Sequence, residues 1–127
     1  MSNYQLKIKR VYDPEDKETD GVRILVDRLW PRGESKVKAD LYEWEKAIAP
    51  TNELRKAFHD ETISFEEFAE KYLSELNANP EASDFASQVQ KLLGDSNVTL
   101  LYASKNREEN NAVVLRDWIK KQFNEIN

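Results

Sequence analysis

The chain has 127 residues, no cysteine, one histidine and a formal net charge of −5. That is the size of one domain, long enough to bury about two thirds of its unfolded surface, and the lack of cysteine excludes disulfides, zinc–thiolate sites and cysteine nucleophiles. The opening residues, Met1 to Lys7, hold no apolar signal-like run, and no stretch approaches the ~20 apolar residues of a membrane helix, so a soluble cytoplasmic protein is expected.

The charge is unevenly spread: residues 1–40 sum to +1, residues 41–93 to −6 and residues 94–127 to 0. With a pI near 5.0, nucleic-acid binding is disfavoured, because it rests on phosphate neutralisation by a basic face. The acidic middle reads as solvated helical surface.

In chain order, Leu6 to Val11 alternates apolar and basic residues, which reads as a strand with one wet face or as a sheet edge. Asp13 to Asp20 reads as a charged loop. Val22 to Asp27 follows an Asp-Gly turn and reads as a central strand. Asp40 with Glu43 forms a capping-box pattern, which predicts a short helix through Leu41, Trp44 and Ile48. Thr51 caps the next helix, which carries Leu54, Ala57 and Phe58.

Ser64 with Glu67 opens the clearest helix, whose Phe65, Phe68, Ala69, Tyr72, Leu73 and Leu76 recur at helical spacing and predict a core face. Asn79-Pro80 starts another, with Phe85, Val89, Leu92 and Leu93 apolar and Gly94 at its end. Val98 to Ala103 is almost wholly apolar and β-prone, the mark of a strand covered on both sides. A last helix is expected from about Glu108 to Phe123, with Ala112, Leu115, Ile119 and Phe123 inward. Two buried strands separated by helices predict a single α/β domain over residues 1–127: a small, mainly parallel sheet with helices packed on both faces.

In open α/β sheets, ligands bind beyond the carboxyl ends of the strands. Val22 to Val26 exits through Asp27, Arg28, Trp30, Pro31, Arg32 and Gly33. Val98 to Ala103 exits through Ser104, Lys105, Asn106 and Arg107, just ahead of a helix N-terminus. Arg28, Arg32, Lys105 and Asn106 are therefore the candidate ligand-binding residues. Arginine forks suit a phosphate or carboxylate. The alternative is that Arg28 and Arg32 pair with Asp27, Asp40 or a helix C-terminus and only fix the loop. Asp27 and His59 are the candidate catalytic residues. His59 lies beside Asp60 and Glu61, a setting for acid/base work, or it simply ends the helix begun at Thr51. Trp30 reads as packing under the loop. No metal centre or cofactor is expected, since phosphate loops, nucleophile elbows and paired metal-ligand spacings are missing.

The segment Gly21 to Gly33 (GVRILVDRLWPRG) resembles the signature of the domain of unknown function 488 family, in its YeaO-like branch. So do Lys9 to Asp13, Ile48 to Lys56, Phe58-His59-Asp60, Glu67 to Tyr72 and Val98 to Lys105. The resemblance spans nearly the whole chain in order. It implies a small cytoplasmic α/β protein of mostly bacterial distribution and carries no catalytic assignment. After Lys105 the family commonly has an acidic residue and, three positions later, a histidine. This chain has Asn106 and Glu109 there, while Asn110, Asn111 and Ala112 match.

Two functions stand open. One is binding of a small anionic ligand, held by Arg28, Arg32 and Lys105, with or without a reaction. The other is a non-catalytic interaction or regulatory protein whose arginine loop is structural.

Overall fold

Four strands build one sheet: β1 (Leu6–Arg10), β2 (Val22–Leu25), β3 (Glu43–Trp44) and β4 (Val98–Tyr102). A computed structural model describes residues 4–123 and 126. The strand order is β1-β4-β2-β3 and every pairing is parallel. The two apolar runs are neighbours, as expected, with Ile24 opposite Leu100 and Leu25 opposite Leu101.

Side chains alternate across the sheet, so it has two cores. Ile24, Val26, Val98, Leu100 and Tyr102 join the larger one with Phe68, Tyr72, Leu76, Phe85, Val89, Leu115 and Ile119. These come from α4 (Phe65–Ala78), α5 (Pro80–Leu92) and α6 (Asn111–Gln122), with α3 (Asn52–His59) adding Leu54. The aromatic stripe of α4 is a core face, as its period predicts. Phe68 stacks on Phe58 with ring centroids 4.4 Å apart. Each large apolar side chain so buried contributes about 1.5–3 kcal/mol.

The other face is thinner. Its apolar half is Val11, Leu25, Ala39 and Leu101, with Trp30 and Trp44 against them edge to face, centroids 5.4 Å apart. Its other half is ionic. Arg23 and Asp20 pair there with 3% and 1% of their side chains exposed. Lys9 Nζ reaches Asp20 at 3.0 Å. Arg23 also donates Nε and Nη2 to the Ala39 carbonyl, and the Thr99 hydroxyl donates to the Asp20 carbonyl. Only two one-turn helices, α1 (Lys17–Asp20) and α2 (Lys36–Ala39), are added by the segments flanking β2.

Gly21 links α1 to β2 with φ +64°, and a Cβ there would meet the Asn97 carbonyl oxygen at 2.0 Å. Only glycine fits.

Three sequence expectations change. Residues 41–48 are not an α-helix, and only Lys46–Ile48 makes a single 3₁₀ turn: Asp40 sits in the left-handed region at φ 47° as the C-cap of α2, Ser35 caps that helix instead, and Glu43–Trp44 pairs with β2. An Asp-to-Glu spacing cannot distinguish a cap that opens a helix from one that ends the helix before it. The Asp13 to Asp20 loop holds the turn α1, because Asp16 accepts from the Glu18 and Thr19 amides. The last helix begins at Asn111, later than Glu108. Asn106 takes the amides of Glu108 and Glu109 in a preceding turn, and Asn110 supplies the helix cap through Val113 N–H.

Candidate functional site at the strand carboxyl ends

Because all four strands are parallel, the loops after β1, β2 and β4 leave on one edge. The topology thus brings the exits carrying Asp27, Arg28, Arg32, Lys105 and Asn106 to that edge. Most of the polar groups there are already engaged with one another.

Arg28 donates Nε to the Pro50 carbonyl at 2.8 Å and Nη2 to the Ala49 carbonyl at 3.2 Å. It ties the β2 exit to the segment ahead of α3. The carbonyls of that segment are taken one after another. Asn79 Nδ2 donates to Ala47 O, and the Tyr72 hydroxyl donates to Ile48 O at 2.6 Å. Thr51 donates its amide and hydroxyl to Glu75. Burial, together with the negative charge of Asp27, holds the Tyr72 hydroxyl in its protonated form well beyond the usual tyrosine range.

Asp27 is a knot between elements. One oxygen accepts from the Ala103 amide at 2.9 Å and the other from Asn111 Nδ2 at 3.0 Å. Its carbonyl accepts from Trp44 Nε1 at 2.7 Å. Burial raises its pKa; the Asn111 and Ala103 bonds and the charge of Arg55 pull the other way. The general acid/base candidate therefore has one oxygen committed to the residue that follows β4 and the other to α6.

The β1 and β4 exits are tied as well. Arg10 donates to the Ala103 and Ser104 carbonyls, and Arg107 donates two hydrogen bonds to the Asp13 carboxylate, at 2.7 and 3.0 Å. The Tyr12 hydroxyl donates to the Arg32 carbonyl. Trp30 packs on Trp44 and donates Nε1 to Glu34 O, a packing role as read from sequence.

The remaining candidates are looser. Arg32, Lys105 and Asn106 are exposed. Among the described residues, the side chains of Arg32 and Lys105 make no hydrogen bond or ion pair. Asn106 spends its side-chain oxygen on the turn before α6. His59 is the last residue of α3 and is exposed.

Sequence reasoning missed Arg55 and Asn111. Arg55 extends the charge environment of Asp27 from α3, and its Nε is buried without an acceptor among the described residues. Nothing in its local pattern separates it from an ordinary helix-surface arginine. Asn111 was visible only as a match beside Asn110. Among the described residues, no cluster of three or more His, Cys, Asp or Glu side chains is placed to hold a metal ion. No helix among them is long and apolar enough to cross a membrane.

This is a parallel α/β protein with a polar, internally bonded strand-end edge. Residues 5–127 match the family described as the Inactive DUF488-N3 subclade, and the chain belongs to that family. It is 46% identical over 115 residues to the uncharacterized protein YeaO of Escherichia coli, covering 91% of this chain and 96% of that one. Uncharacterized proteins of Mycobacterium bovis and Mycobacterium tuberculosis are each 37% identical over 111 residues, 87% of this chain and 90% of theirs. No solved structure matches.

Proposed function

We propose that this chain is a non-catalytic interaction or regulatory protein, acting in the cytoplasm, whose arginine loop is structural. The observation that carries this reading is the side chain of Arg28, whose Nε and Nη2 are bonded to the Pro50 and Ala49 carbonyls. The engagement of both Asp27 oxygens supports it. So does the family's description as inactive.

The second reading, a small phosphate- or carboxylate-bearing ligand, is favoured by one observation. Arg32 and Lys105 are exposed cations on a shared edge with no partner among the described residues. Melting curves in sulfate and phosphate separate the two. Under the structural reading the anions leave the protein unmoved beyond a general salt effect, and Arg28→Ala costs about 1.5–3 kcal/mol by stripping charged hydrogen bonds. A saturable stabilisation by either anion, lost in Arg32→Ala and Lys105→Ala without a change in their own melting points, would establish the anion reading instead.

A further inference from the structure

Two side chains of opposite charge line one cavity and are not paired with each other. The cavity has a volume of about 320 Å³, inside the range of about 300–1,000 Å³ usual for small-molecule sites. It lies where residues 47–51 meet the end of α4 and the start of α5. Its walls are largely apolar, with Ile48, Leu76, Ala78 and Pro80 among them, and its charged groups are Arg28 and Glu75.

Among the described residues neither Arg28 nor Glu75 joins an ion pair. Each is anchored elsewhere. Arg28 holds the Ala49 and Pro50 carbonyls through Nε and Nη2, which leaves Nη1 uncommitted. Glu75 accepts the Thr51 amide on one oxygen and the Thr51 hydroxyl on the other, and each carboxylate oxygen has a further lone pair. Independent anchors thus keep a cationic donor and an anionic acceptor apart beside an apolar floor. The complement of that arrangement is a ligand carrying the reversed pair of charges on an aliphatic body.

We propose that this cavity binds a free α-amino acid with an aliphatic side chain. Its carboxylate meets Arg28, its ammonium group meets Glu75, and its side chain lies against Ile48, Leu76 and Pro80. The site shares Arg28 with the strand-end edge, uses the Nη1 that its structural bonds to Ala49 and Pro50 leave over, and stands whether or not Arg32 and Lys105 hold an anion.

The test is a titration of the ¹⁵N-labelled full chain with three molecules of like aliphatic body. Leucine has both charges, 4-methylpentanoate lacks the ammonium group, and 3-methylbutylamine lacks the carboxylate. Leucine should move the amides of Ile48, Ala49, Thr51 and Leu76 saturably. Each single-charge analogue should bind at least about ten-fold more weakly, or 1.4 kcal/mol. Ala78→Trp, at an exposed position on the cavity wall, should abolish the leucine shifts while the rest of the spectrum stays native. Glu75→Gln should weaken leucine and leave 4-methylpentanoate unchanged. The proposal is overturned if leucine leaves these amides unmoved up to its solubility limit. It is equally overturned if 4-methylpentanoate binds as well as leucine, or if the leucine shifts survive Ala78→Trp.

Discussion

A buried aspartate and a half-buried one are shifted in opposite directions, and the difference lies in their partners. Burial pushes the Asp20 carboxyl up, but Lys9, the Asp16 amide and Arg23 together bring it below its ordinary value. A carboxylate depressed in the folded state adds stability above its unfolded pKa and loses it as pH falls through the folded value. Asp27 has only neutral donors in contact, so burial wins and its pKa is raised. Its sign is reversed: it favours folding below the unfolded pKa and loses that contribution as pH rises through the folded one. A ¹³C titration of the carboxyl groups should place Asp20 below, and Asp27 above, the ordinary ~3.9. Removing Asp20 also strands Arg23 in the sheet. Asp20→Ala should cost about 3–5 kcal/mol, the range for breaking a buried ion pair, as read by urea unfolding near neutral pH.

At the scale of elements, most helices were legible and the shortest pieces were not. Thr51, Ser64 and Asn79 each precede an apolar period and each caps a helix. The two-residue strand β3 leaves no pattern, and its place is decided by pairing with β2. The candidate site was legible as a place, because parallel strands send their exits to one edge. Its chemistry was not. The acceptors of Arg28 are backbone carbonyls more than twenty positions away, and every residue type offers a carbonyl. Two substitutions test the elements. Phe68→Ala, in the α4 stripe stacked on Phe58, should lower stability by about 3–5 kcal/mol. Gly21→Ala should cost more than about 2 kcal/mol, since a left-handed backbone alone costs a side-chain-bearing residue 1–2 and the new Cβ strikes Asn97. A melting temperature close to wild type for either would contradict the packing described.

Taken whole, the molecule is lopsided. Among the described residues, one face of the sheet carries four α-helices of 8 to 14 residues and the other two of four residues each. Opening free energy follows the apolar contacts that must break, so the thin face should open first. Hydrogen exchange should find the amides of α2 and β3 released well before those of β4, which is buried along its whole length. Uniform protection across both faces would show that the ionic cluster of Lys9, Asp20 and Arg23 binds the thin side as tightly as hydrocarbon binds the other.

The strand order has a consequence for how this protein is made. Among the described residues β4 is the last strand to be synthesised, yet it lies between β1 and β2 and is hydrogen-bonded to both. Until residue 102 has cleared the ribosome, β1 has no neighbour to pair with, and β2 has only the two residues of β3. The nascent chain therefore carries its apolar strands without their shared partner until β4 follows. Closure of the sheet must wait until β4 has emerged, and until then the exposed apolar strands are open to misassembly. Ribosome-arrested chains ending near residue 97 should be cut freely by protease, and chains with Asn127 outside the exit tunnel should resist it.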